Sequence, residues 1–419
     1  MGAAMAANPA SSLPVQMGGW NEVRAAYRLL SQADVRHAEL SQPHWQQSRT
    51  AAASRIGEVV LFINDTTELN YSDHPKTTGL GNTSHPKVDG LMLHSSLGVV
   101  PYPGNVEVLG LGWQSVWSRA MDETDHPFPS NEGDKWQTAI QEMGAVPPGA
   151  FWVSVADRES DVFRYFRTAI DLGWHCLSRL CQNRVIETAT GERSRLKGYV
   201  RGLEAQTTKL LELRGRDGQP SRSVELQVAW APMTIHPPRT GPDRHLDPIR
   251  CWVIRCWEVG GERLEWILVT TVDPNTYSVL EQLEWYACRW VIEEYHKCLK
   301  TGCDIEARQL STAEGLIRLM GFLGIVAVRL LQLRTLSRQE PEQLASTVVP
   351  GELIEILQVR LRRVSPEPMQ LGEFWRLVAR LGGFLGRKSD GQPGWQTLWK
   401  GWLKLQDLYW GVQFARGRG

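Results

Sequence analysis

The chain of 419 residues has no excess of either charge: 46 Lys and Arg stand against 46 Asp and Glu. No global field draws it toward nucleic acid, so any such attraction must come from local patches. It lacks the basic-then-apolar opening of a signal peptide. Its longest apolar run, Leu319 to Val328, is bounded by Arg318 and Arg329 and is too short to cross a bilayer, so no membrane partner is expected. Cysteine is sparse, falling as Cys176/Cys181, Cys251/Cys256, Cys298/Cys303 and a lone Cys288. None of these pairs forms a Cys-x-x-Cys turn, and residues five apart lie on opposite faces of a strand or ~140° apart on a helix. That spacing argues against zinc and for free thiols in a reducing cytoplasm.

What the chain does have is one stretch of concentrated chemistry, Tyr286-Ala-Cys-Arg289-Trp-Val-Ile-Glu293-Glu-Tyr-His296-Lys297-Cys-Leu-Lys300. At ~100° per residue, Tyr286, Arg289, Glu293, Lys297 and Lys300 fall within an arc of about 80° on a helix, opposite an apolar side. An ordinary amphipathic helix with a solvated charged face satisfies the same pattern. Two upstream acids add to it. Asp65 closes the apolar run Val59 to Asn64, and Asp157 closes Phe151 to Ala156. Each reads as a buried strand presenting an acid at its end; helix capping or a turn is the commoner use of an Asp so placed. Three carboxylates without neighbouring histidines or thiols form a hard oxygen site, suited to magnesium or manganese. Two such ions can drive phosphoryl displacement, and Arg289 and Lys300 would hold the phosphodiester oxygens.

The spacing of Tyr286, Arg289, Glu293 and Lys300, together with Asp65-Thr66-Thr67-Glu68-Leu69-Asn70-Tyr71 and Asp157-Arg158-Glu159-Ser160-Asp161, resembles a known family. It is that of the bacterial cut-and-paste DDE transposases of the insertion-sequence-four type, in the Tyr-Arg-Glu-Lys (YREK) subgroup containing the transposon-five transposase. The resemblance implies that Asp65, Asp157 and Glu293 are catalytic and bind two Mg2+ (or Mn2+) ions per active site. It further implies that Tyr286, Arg289, Lys297 and Lys300 grip DNA, and that Trp266 stacks on a base flipped from the duplex end, where stacking restores ~1–3 kcal/mol. With 18 Trp in the chain, a core role for Trp266 is an equal alternative. The implied partners are double-stranded DNA with terminal inverted repeats, target DNA, and a second copy in a synaptic homodimer. The implied reaction is strand cleavage, hairpin formation and strand transfer, in the bacterial cytoplasm at the nucleoid.

The expected architecture is α/β: a ribonuclease-H-like catalytic core over 51–170 and 271–336, a β-rich insertion over 171–270, a helical N-terminal segment over 1–50 and a helical dimerisation domain over 337–419. Strands are expected at 58–64, 91–100 and 106–113, before Asp157, and at 174–179, 249–259 and 264–271. Local basic patches lie between Arg179 and Arg222, where ten bases face five acids, and at Arg360, Arg362, Arg363, Arg387 and Lys388. Relatives carry a further basic segment before the Gly18-Gly19-Trp20 region, whereas Met1 to Gln16 contain no Lys or Arg. The alternative this raises is a shortened, catalytically idle inhibitor that pairs with an intact transposase.

Overall fold

The computed structural model describes residues 1–417 except 123, 129–130, 214–221, 260–263, 339, 363–366 and 388–389. Arg214, Arg216, Asp217, Arg363 and Lys388 of the expected basic patches therefore lie outside the described residues.

Among the described residues, twelve strands join into one sheet. They are β1 (Val59–Asn70), β2 (Gly81–Asn82), β3 (Asp89–Tyr102), β4 (Asn105–Trp117), β5 (Phe151–Ala156), β6 (His175–Arg179), β7 (Val185–Thr188), β8 (Arg193–Arg195), β9 (Thr207–Leu213), β10 (Arg222–Ile235), β11 (Ile249–Glu258) and β12 (Glu265–Thr270). The order is β2-β3-β1-β5-β6-β12-β11-β10-β7-β8, with β4 paired to β3 and β9 to β10. The long hairpins β1–β3 and β3–β4 are antiparallel, whereas β5 and β6 add in parallel through α-helical crossovers. The strands of the β-rich insertion do not form a separate sheet, because β12 pairs with β6 and carries the ladder onward.

The helices in chain order are α1 (Gly2–Ala7), α2 (Leu13–Met17), α3 (Trp20–Ser31), α4 (His37–Ala53), α5 (Lys135–Met143), α6 (Phe163–Asp171), α7 (Leu196–Arg201), α8 (Val279–Ala287), α9 (Trp290–Lys297), α10 (Ala313–Leu336), α11 (Gly351–Arg360), α12 (Leu371–Leu381) and α13 (Trp395–Ala415). The first residues are not an open loop: α1 and α2 fold back, Met5 is buried, and the Arg308 guanidinium donates to the carbonyls of Pro9 and Ser11.

The core beneath β1 and β5 is aromatic. Phe62, Trp152 and Trp174 meet pairwise at 5.0–5.1 Å between ring centroids. Gly112 on β4 leaves the space for Phe62, since a Cβ there would stand 2.6 Å from that ring. Across β4 lie α4 and α10. The apolar run expected to stop at Val328 belongs to the 24-residue α10, which by length and composition is long enough to cross a membrane. Arg318 and Arg329 do not end it; both lie within the helix. Two thirds of its most apolar window is buried inside this protein, so the apolarity is consumed by packing. A second apolar cluster, with Leu357, Phe374, Val378 and Leu405 at its centre, is built by α11, α12 and α13.

Candidate active site

The first two acids come together through strand pairing. In β1 and β5 the last parallel pair is Asn64 with Ala156, so Asp65 and Asp157 are the next residues on two adjacent strands. Asp65 does not end its strand, as its position after the apolar run suggests. β3 keeps pairing with β1 as far as Asn70 opposite Gly90, so only the β5 side opens at the acid. Asp157 also serves as a cap, accepting the N–H of Glu159 at 2.9 Å and starting the short 3-10 turn Arg158–Ser160. Asp65 accepts the N–H of Thr66 at 3.0 Å.

The stretch expected as one helix is interrupted. Tyr286 lies near the end of α8, Arg289 at the joint, Glu293 in α9, and Lys300 in a π-turn, Cys298–Gly302. At the joint the N–H groups of Arg289, Val291 and Ile292 reach carbonyls three residues back rather than four, which tightens the turn. Tyr286 is buried, Arg289 half-buried, and Glu293 and Lys297 exposed.

α9 is fixed to the sheet by a buried polar network. The Gln114 amide of β4 donates to the Tyr295 hydroxyl at 2.8 Å and to the Ser95 hydroxyl at 3.0 Å, while its carbonyl oxygen meets His37 Nε2 of α4 at 3.2 Å. Gly324 of α10 makes room for it: a Cβ there would lie 3.0 Å from the Gln114 oxygen and 3.3 Å from the Tyr295 hydroxyl. The network presses Tyr295 inward and leaves Glu293 facing out over β1.

Between the acids sits a cation of the protein's own. The Arg289 guanidinium is 3.5 Å from Asp65 Oδ2 and bonds directly to Glu293 Oε1. Burial works against its charge, but the carboxylates of Asp65 and Glu293 outweigh burial and raise its pKa. Burial is also the main influence on Asp65, whose pKa rises from 3.8 to about 7; Arg289 opposes the shift, and Asp157 and Glu293 reinforce it. Asp157 is raised for the same first reason. Two imidazoles lie nearby, both held neutral by burial: His94, whose Nδ1 meets the Thr66 hydroxyl at 2.9 Å, and His296, lowered to about 3.

Trp266 on β12 is half-buried and meets the Tyr286 ring edge-on at 5.4 Å. Lys300 Nζ is 3.6 Å from Glu306, and Lys297 has no ion-pair partner among the described residues. Two cations of the site escape sequence reasoning. Lys135 at the start of α5 binds Glu159 at 3.1 Å and lies near enough to Asp157 to counter its shift, and Arg179 at the end of β6 lies beside Tyr286. Nothing local announces Lys135; Arg179 stands out only as one base of a long basic stretch.

As the side chains stand, no three His, Cys, Asp or Glu among the described residues surround one point closely enough to hold a metal ion. The guanidinium marks why: it already occupies a cation position between two carboxylates. The donor chemistry fits a divalent ion, since carboxylate oxygens are the hard ligands such ions take.

Residues 153–328 match the family described as Transposase DDE domain, and residues 325–419 match Transposase Tn5 dimerisation domain. A solved cryo-EM structure of a piggyBac transposase synaptic complex with hairpin DNA aligns with 68% of this chain at 8% identity and a TM-score of 0.30. The alignment covers 48% of that chain, about half its length.

Proposed function

We infer that this chain, which carries a transposase DDE domain followed by a dimerisation domain, is a DNA transposase that cleaves and joins strands. The observation that supports the reading is the placing of Asp65 and Asp157 side by side at the ends of paired strand segments, with the Arg289 guanidinium joining Asp65 to Glu293. Enzymes of the DDE type work with divalent metal ions. We assign the ligands here to those three carboxylates and the ions to two Mg2+ or Mn2+. Such ions would activate the attacking water or 3′-hydroxyl and stabilise the leaving oxygen.

The chain's own residues do the rest. Asp65 and Asp157 are held rigidly by neighbouring strands, and Glu293 approaches from a helix bolted to the same sheet. Once released from the acids, Arg289 offers a planar fork to a phosphodiester, and Lys297 and Lys300 supply further charge at the exposed end of the same segment. Trp266, braced by Tyr286, presents an aromatic face at the half-buried margin, where an extruded base would regain stacking. The strand order β4-β3-β1-β5-β6, antiparallel then parallel, supports a ribonuclease-H-like core. The Tyr-Arg-Glu-Lys spacing supports the insertion-sequence-four subgroup, hairpin intermediates and inverted-repeat ends. On this reading the enzyme works as a homodimer on nucleoid DNA in the cytoplasm. An idle inhibitor is not favoured, since both matched regions are those of a transposase.

The test incubates a labelled duplex ending in the element's inverted repeat with the wild-type chain and with Glu293→Ala, in magnesium and in EDTA. Magnesium-dependent nicks and hairpins at the repeat boundary are expected from the wild type. The variant should shift the DNA in a gel without cutting it. Cleavage by Glu293→Ala would remove Glu293 from the metal site.

A further inference from the structure

A groove of about 870 Å³ lies outside the acid cluster and is markedly basic. Five arginines line it, Arg184, Arg193, Arg195, Arg239 and Arg244, against two acids, Asp161 and Asp243. Both acids are already neutralised. Asp161 is fully buried and paired with Arg184, and it also accepts the N–H groups of Cys181 and Gln182 at 2.8 Å each. Asp243 is paired with Arg164. Arg193, Arg195, Arg239 and Arg244 have no carboxylate partner among the described residues.

The arginines come from separate parts of the chain onto one concavity. Arg193 and Arg195 are two apart on β8, hence on the same face of the strand that ends the sheet's main run. Both are exposed. Arg239 is an exposed loop residue after β10, and Arg244 lies in the 3-10 turn Pro242–His245, where it donates to His245 at 2.8 Å. Four exposed arginines on one concavity without counter-charge raise the local positive potential and so attract an anion.

The groove also borders the proposed cleavage site. Its wall includes Asp161, four residues after Asp157, a separation of at most about 14 Å of extended chain. A duplex advances 3.4 Å per base pair, so the Asp161 wall lies within about four base pairs' length of Asp157.

We propose that this groove binds the phosphate backbone of duplex DNA a few base pairs from the scissile bond, independently of base sequence. The reading rests on the transposase assignment. It differs from the grip of Arg289, Lys297 and Lys300 in lying beyond the acids and in using only strand-end and loop arginines.

The test is equilibrium binding of the full chain to a labelled inverted-repeat duplex and to a scrambled duplex, between about 50 and 200 mM salt. The variants are Arg193→Ala/Arg195→Ala/Arg239→Ala and the matching triple Lys variant, with folding checked by thermal melting. Each lost phosphate contact lowers the slope of log affinity against log salt by about 0.9. The triple Ala variant should lose about 2.7 from the slope, so that its affinity falls about 40-fold less than the wild type's over that salt range. The change should be equal on both duplexes, and the Lys variant should keep the wild-type slope. An unchanged slope in a folded triple Ala variant, while the wild type binds and cuts the repeat, would overturn the groove and leave the transposase reading standing. A wild type that binds neither duplex would overturn both.

Discussion

Replacing Asp65 with Asn should stabilise the metal-free protein and abolish its chemistry, and the stabilisation should depend on pH. The Asp65 carboxyl is largely buried, and its pKa is raised from 3.8 to about 7. A raised acid is a liability to the fold: below about pH 3 it is protonated in both states and costs nothing, and as pH climbs toward 7 the unfolded chain ionises first. The cost grows through that window and is complete above it. A shift of about three units corresponds to about 4 kcal/mol at pH 8. The Arg289 contact at 3.5 Å already tempers that shift, so Asp65→Asn should be about 4 kcal/mol more stable than the wild type at pH 8. Urea denaturation in EDTA at about pH 5, 6.5 and 8 measures this directly. The difference should be about 1.5–2 kcal/mol at pH 5 and largest at pH 8. Saturating Mg2+ at pH 8 should then raise the wild type and not the variant, by about 2.7 kcal/mol at a hundredfold excess over Kd. A difference flat in pH, or an Asn variant less stable at pH 8, would refute the argument that burial strains this carboxylate.

Two further outcomes follow from packing and surface. Gln114→Leu removes the amide shared by Tyr295, Ser95 and His37 and should cost about 1–3 kcal/mol by leaving buried groups unpartnered; it should also slow cleavage, and denaturant titration beside a nicking assay checks both. Trp410 and Phe414, one turn apart on α13, are 63% and 82% exposed, as a surface awaiting a second copy would be, so Trp410→Ser/Phe414→Ser should elute as a monomer with light scattering where the wild type is dimeric.

Much of the candidate site is legible in the sequence because it depends on local pattern. Two apolar runs, each followed by an acid, are enough to suggest that Asp65 and Asp157 emerge from strands, and parallel pairing of β1 with β5 makes them neighbours. The continuation of β1 past Asp65 is not legible, since it is decided by β3, a partner that the residues 65–70 do not specify. The joint at Arg289 is equally silent: no Gly or Pro marks it, and it exists only as a change from four-residue to three-residue hydrogen bonds. The double pairing of Arg289 escapes for another reason. Helical spacing shows that it can reach Glu293, but the contact with Asp65 is 224 residues distant and arises only from tertiary packing. α10 reads as apolar from its composition, whereas its role as the helix crossing β4 depends on what surrounds it.

The bolt on Tyr295 has a consequence in rotational phase. Tyr295 and Glu293 are two residues apart, so they project from α9 about 200° from each other, one into the sheet and one over it. Fixing the hydroxyl on Gln114 therefore fixes the bearing of the carboxylate on the far side of the same cylinder. With a side-chain radius of about 6 Å, a roll of only about 10° carries Glu293 through about 1 Å. A displacement of that size at a reacting centre costs on the order of a hundredfold in rate. An amide shared among α4, β3 and α9, out of reach of any substrate, thus acts as the angular stop for the third carboxylate.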